Sequence, residues 1–222
     1  MSQISERFEI VVWGDFACFT RPEMKVERVT YDVMTPSAAR NILQAILWKP
    51  AIDWIVEEIH VLSMPTHLAV RRNEVGCVTS VSNAAKIMKA GVGNLGIFAE
   101  DERQQRAAII LKDVNYLIRA KFQMTNKAGQ SDNIKKFEEM FKRRLERGQC
   151  IFQPYLGCRE FAAFFAPATG KEQAIELSKD LSWMLYDLNY LPDGQVTPEF
   201  FHAKLENGVL SVPLPNSEEV KR

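Results

Sequence analysis

The chain has 222 residues, 46% of them apolar and 25% charged, with 28 basic against 28 acidic side chains for a formal net charge of zero. This is the composition of a soluble globular protein of one or two domains, long enough to bury a core. No apolar run reaches the roughly 18 residues of a membrane span, and MSQISERFEI carries acid and base before any apolar run, unlike a secretion signal, so a cytoplasmic protein with no membrane partner is expected.

FEIVVW (8–13) alternates as a first strand that Gly14-Asp15 ends. An irregular, turn-rich stretch, 16–37, follows. Thr35 as N-cap and Pro36 at the first helical position start a helix with Ile42, Leu43, Ile46 and Leu47 on one face, stopping before Pro50. Ile52, Trp54, Val56, Ile59 and Val61 make 51–62 a strand, because β-branched and aromatic residues dominate it. Residues 63–106 read as a long polar excursion with a short helical piece at NAAKIMKA, and 106–124 as a long strand.

Asp132 or Ser131 is placed to cap a second amphipathic helix, whose buried stripe is Ile134, Phe137, Phe141 and Leu145 and whose end is Gly148. REFAAFFAP (159–167) reads as a buried strand, IELSKDL as a helical piece, and Asn207-Gly208 as a type I′ hairpin turn. Residues 1–166 thus run strand, helix, strand, strand, helix, strand. The expected fold is α+β, a ferredoxin-like βαββαβ domain over 1–166 followed by a small antiparallel β-rich domain over 167–222. RNA-recognition modules share that arrangement.

Neutral overall, the chain is uneven in charge. From Arg103 to Arg147 there are twelve Lys and Arg against five Asp and Glu, whereas from Lys171 to the end there are five against nine. At 100° per residue Lys136, Arg143 and Arg147 fall within about 40° of one another, opposite the apolar stripe, so the second helix presents a basic face to solvent. Such a face is either solvated surface or a wall for nucleic-acid phosphates. On the second reading the RNA contacts are Lys112, Arg119, Lys121, Lys135, Arg143, Arg144 and Arg147.

The familiar catalytic patterns are missing. Cys18, Cys77, Cys150 and Cys158 form no C-x-x-C pair, and His60, His67 and His202 stand in no metal spacing, so free thiols and no metal or cofactor are expected. GVGNLG (91–96) has the letters of a dinucleotide loop without the preceding strand and following helix, which leaves a loop at a nucleic-acid backbone or a plain surface loop. No carboxylate cluster is spaced to hold two metal ions. RNA can be cut without metal, since its 2′-hydroxyl can attack the neighbouring phosphorus if a base, a cation for the phosphorane and an acid for the leaving group are supplied.

At GDFACFTRPE (14–23), TYDVMTPSAARNIL (30–43), WKP (48–50), RRNEV (71–75), RQQRAAIILKDV (103–114) and LGCREFAAFFAP (156–167) the sequence resembles the CRISPR-associated endoribonucleases of type I-C systems, members of the RAMP superfamily. The resemblance covers about residues 7–212. It implies an enzyme that cuts CRISPR precursor RNA at the base of the repeat hairpin without metal, by 2′-hydroxyl attack, and stays on the 5′ handle. The implied partners are the CRISPR repeat RNA, the other subunits of the type I-C interference complex and duplex DNA as its target.

The resemblance also implies a tyrosine just before W-K-P and a lysine-histidine pair opening the second ferredoxin helix. Lys136 matches the lysine, while Leu47 and Phe137 occupy the other two positions. Either Lys136 works with a replacement acid or base, for which Tyr31, His67 and Tyr116 are the candidates, or the chain binds RNA as a non-catalytic subunit.

Overall fold

Phe8, Ile10 and Val12 are buried and the residues between them are not, so the first strand, β1 (Phe8–Ala17), lays one face on the core. The structure, a computed structural model, describes residues 4–24 and 26–222; Met1 to Gln3, part of the segment read for a leader, and Lys25, in the irregular stretch, lie outside the described residues. β1 does not end at Gly14-Asp15. Gly14 pairs with Val114 and Phe16 with Lys112, so a continuous partner carries the strand through the expected stop.

The remaining elements are α1 (Pro36–Ile46), β2 (Ile52–Val61), β3 (Thr66–Val75), α2 (Val81–Ala90), β4 (Arg103–Met124), α3 (Ile134–Glu146), β5 (Phe164–Pro167), β6 (Lys179–Tyr190), β7 (Val196–Glu206) and β8 (Val209–Ser211). They form an α+β fold built on one mostly antiparallel sheet in the order β5-β1-β4-β2-β8-β7-β6, with β3 paired separately to β4. Thr35 caps α1 as expected, its side chain accepting from the Ala38 N–H. No described helix is long and apolar enough to cross a membrane.

Four expectations change. The 63–106 excursion is ordered: β3 pairs along its length with the first half of β4, from Thr66 opposite Lys112 to Val75 opposite Arg103, and α2 sits beyond the hairpin. β5 is only four residues long and half exposed at the sheet edge, rather than a buried strand over 159–167. The segment expected to be helical at IELSKDL instead leads into β6, which pairs with β7. Asn133, not Asp132 or Ser131, caps α3, its side chain accepting from the Lys136 N–H at 2.9 Å. Asn207 and Gly208 both take positive φ, 48° and 76°, as a type I′ turn requires.

An aromatic cluster fixes α3. Phe141 meets Phe8 and Trp54 at 4.8 and 4.7 Å between ring centroids, and Phe137 meets Phe122 edge-on at 6.5 Å. Trp54 donates from its ring nitrogen to the Leu47 carbonyl at 2.9 Å, tying the end of α1 to the same cluster. Such rings bury large areas, and edge-to-face pairs add about 0.5–1.5 kcal/mol each beyond burial. The first turn of α3 is thereby held rigidly against the sheet.

Candidate active site and RNA interface

The Asn133 cap sets the first turn of α3, and that turn aims Lys136 at a cleft of about 250 Å³. Lys136 Nζ donates to Asp132 Oδ1 at 2.8 Å, and Asp132 Oδ2 accepts from the Gly129 N–H at 3.0 Å. Lys49, from the W-K-P segment, and Lys127, from the loop after β4, line the same cleft, floored by Phe137 and Met140. The hydrogen bond from Lys136, with the Gly129 N–H and the charge of Lys49, holds the Asp132 carboxyl below the usual carboxylate range. Three cations and one carboxylate thus line the cleft. This arrangement suits a phosphate, whose developing negative charge the lysines would neutralise.

Lys135, Lys136, Arg143 and Arg147 are exposed along the outer side of α3, opposite buried Phe137, Phe141 and Leu145. Arg144 is half-buried and donates to the Ile46 carbonyl at 2.6 Å, satisfying an unpaired acceptor in the last turn of α1. Lys112 lies far along β4, exposed beside Asp113 at 3.5 Å. Arg119 and Lys121 emerge on the sheet face opposite the helices, where carboxylates already engage them. Arg119 contacts Glu9 at 2.8 Å and Glu58 at 3.0 Å, and Lys121 contacts Glu57 at 2.6 Å.

The candidate acids and bases do not gather at Lys136. Tyr31 is 1% exposed, its hydroxyl accepts from the Leu185 N–H at 3.2 Å, and burial pushes its pKa up. Tyr116 is also buried, with its pKa raised by desolvation. His67 lies 3.4 Å from Asp32, which Lys179 also binds at 2.7 Å. His67 pairs with Leu111, whereas Lys136 adjoins Ala51 at the Met124 end of β4. Thirteen residues of strand, roughly 40 Å, separate the two ends. Among the described residues no three His, Cys, Asp or Glu side chains are grouped to hold a metal ion.

Residues 9–213 match the family model Cas_Cas5d, described as CRISPR-associated protein (Cas_Cas5). The chain belongs to this Cas5d family. It is 50% identical over 228 residues to the CRISPR pre-crRNA endoribonuclease Cas5d of Mannheimia succiniciproducens, covering 99% of this chain and 100% of that protein. To the CRISPR pre-crRNA endoribonuclease Cas5d of Thermus thermophilus it is 41% identical over 233 residues, covering 97% of this chain and 95% of that protein. The fold also matches a crystal structure of a CRISPR-associated protein, with a TM-score of 0.72 at 21% identity over 100% of both chains.

In this Cas5d-family chain the two departures from the expected catalytic pattern are core residues. Leu47 is 0% exposed and Phe137 2%. Of the residues lining the cleft, the sequence singled out Lys136 as a site candidate and not Lys49, Lys127 or Asp132. Lys49 lay in the W-K-P motif and Asp132 one turn before Lys136, which are the signals that point to them; nothing local to Lys127 does so.

Proposed function

We propose that the chain is a pre-crRNA endoribonuclease, as the names of its two full-length relatives say of those proteins. The observation that carries the reading is the Lys49, Lys127 and Lys136 cleft opening beside the basic face of α3. We read β5-β1-β4-β2, with α1 and α3 contributing to one core, as a ferredoxin-like domain over 1–166, and β6, β7 and β8 as the β-rich part over 167–222. The repeat hairpin lies with its base at the N-terminal end of α3, Lys135, Arg143 and Arg147 on its phosphates. Phosphate contacts fix register and carry no sequence information.

The reaction is metal-independent attack of a 2′-oxygen on the adjacent phosphorus, forming a 2′,3′-cyclic phosphate and releasing a 5′-hydroxyl. Lys136 donates to the phosphorane oxygens, and Lys49 and Lys127 add positive charge and exchangeable protons around it. Tyr31 and His67 take no part in this scheme, because burial and distance separate them from the cleft. Exposed Trp13 and Phe164, directly paired across β1 and β5 with ring centroids 6.1 Å apart, offer a stacking surface for unpaired bases. After cleavage the chain keeps the 5′ handle in the cytoplasm and joins the other type I-C subunits at the duplex DNA target.

The burial of Leu47 and Phe137 favours one rival, an RNA-binding subunit that does not cut. Incubation with the cognate repeat RNA in EDTA separates the two readings. A single cut, lost with Lys136→Ala and with a 2′-deoxy substitution at the cleaved position, is the expected result. Tight, salt-sensitive binding with no product establishes the rival.

A further inference from the structure

Cys18, just after β1, and Cys158, in the turn before β5, are 140 positions apart in sequence and meet in one small cluster with Ala108 and Ile110. Cys158 Sγ lies 3.6 Å from the Cys18 carbonyl oxygen, and Thr20 Oγ1 bridges the two sulfurs at 3.5 and 3.9 Å. The backbone holds them there. The Cys18 N–H donates to the Leu156 carbonyl at 3.0 Å, and Gly157 has a φ of +83°, with the site of a Cβ only 2.0 Å from the Cys18 carbonyl oxygen. Any side chain at 157 would drive the two segments apart.

The surrounding charge is unbalanced. Among the described residues the carboxylates paired with Arg28, Arg72 and Arg106 are Glu74 and Glu160: Arg28 lies 3.5 Å from each, Arg72 pairs with both, and Arg106 lies 3.4 Å from Glu74 and also donates to Gln104 Oε1 at 3.0 Å. The Nε atoms of Arg72 and Arg106 are buried without a protein partner among the described residues. Arg28 Nη1 reaches Cys158 Sγ at 3.8 Å. A partly buried excess of one positive charge favours an anion, and the Cys158 thiolate would supply it. Hydrogen bonding from Cys18 and Thr20 and the charges of Arg28 and Arg72, against burial, lower the Cys158 thiol below its ordinary value, while the Cys18 thiol is held protonated.

We propose that Cys18 and Cys158 are a peroxide-sensitive thiol pair that closes reversibly to an intramolecular disulfide, with Cys158 the attacking sulfur and Cys18 the resolving one. The Cys158 thiolate attacks one oxygen of hydrogen peroxide, forming a sulfenic acid and releasing hydroxide. The Cys18 thiol then attacks that sulfur; the S–S bond forms, the S–O bond breaks, and the oxygen leaves as water with the Cys18 proton. Two thiols are oxidised by two electrons and one peroxide is reduced. The product would fasten the 156–161 turn, which carries Arg159, to the end of β1.

The test uses the full-length protein and limiting hydrogen peroxide, followed by peptide mapping with exposed Cys150 as internal reference. The expected result is a Cys18–Cys158 crosslinked peptide, a mass loss of two hydrogens, and oxidation of Cys158 at least about ten-fold faster than of Cys150. Cys18→Ser should leave a Cys158 sulfenic acid that dimedone traps, and Arg28→Gln should slow alkylation of Cys158 at pH 7 without changing that of Cys150. Oxidation of Cys150 ahead of Cys158, or oxidised Cys158 with no crosslink to Cys18, overturns the proposal.

Discussion

Lys136 Nζ is anchored 2.8 Å from Asp132 Oδ1, one helical turn back, so its position is set by a pair rather than by an unrestrained side chain. Lys136→Ala should lower the cleavage rate at least about 100-fold, as loss of an oxyanion donor does, with RNA affinity changed only a few-fold. Asp132→Asn keeps the lysine but frees it, and a loss of about ten-fold in rate at unchanged affinity is expected. Single-turnover cleavage and equilibrium binding separate the two effects; equal losses in both would make Lys136 a binding residue only.

Arg143 and Arg147 face solvent with no ion pair to a described residue, whereas Arg119 is held between Glu9 and Glu58. Arg143→Ala and Arg147→Ala should each weaken RNA binding across sequences and reduce the salt slope by about one. Arg119→Ala should leave that slope unchanged, since no counterion is released from a site already neutralised by protein carboxylates. Filter binding at several salt concentrations reads this directly.

Phe137→His would recreate the lysine-histidine pair implied by the family resemblance, yet position 137 packs on Phe122 inside the core. Placing an imidazole there should cost about 1–3 kcal/mol of stability, measured by denaturant unfolding, and should not raise activity. Phe141→Ala, which opens a cavity between Phe8 and Trp54, should cost about 3–5 kcal/mol.

The face of the sheet away from the helices should be acid-sensitive. Burial alone would raise Glu57 and Glu58, but hydrogen bonds and charge from Lys121 and Arg7 on the first, and from His60 and Arg119 on the second, hold both below their ordinary 4.5. Lowered carboxyls stabilise the fold above 4.5, and that contribution disappears as the pH falls through their lowered values. Thermal unfolding midpoints should therefore drop on acidification below about pH 4.5, and Arg119→Gln should flatten the profile by removing one partner of Glu58.

β1, α1 and α3 were legible because each buries one face, which prints a period of two or of 3.6 on its residues; β2, which buries Trp54, Ile55 and Val56 in succession, was legible from its β-branched and aromatic residues instead. β3 buries nothing: THLAVRRNEV is exposed or half-exposed throughout, its strand partner is β4 alone among the described residues, and so it carries no core-facing alternation to read. β6 does not read as a strand because bulges opposite β7, between Asp180 and Ser182 and between Leu185 and Asp187, break its alternation. In the candidate site, the helical period placed Lys136 on a basic face, and the family resemblance singled it out. Lys49 and Lys127 reach it only because β2 and β4 pair Ile52 with Met124, a tertiary fact written in no local pattern.

β4 hydrogen-bonds to β1, β2 and β3, and its match to β1 joins Phe8 to Ala120 across half of the chain. Pairings that remote in sequence place folding toward the slow end for domains of this size. During synthesis the first hundred residues have their central partner missing. β1 and β2 would wait as unpaired edges until residue 124 clears the ribosome, so that interval, rather than any weakness of the finished sheet, is when this chain is most exposed to aggregation.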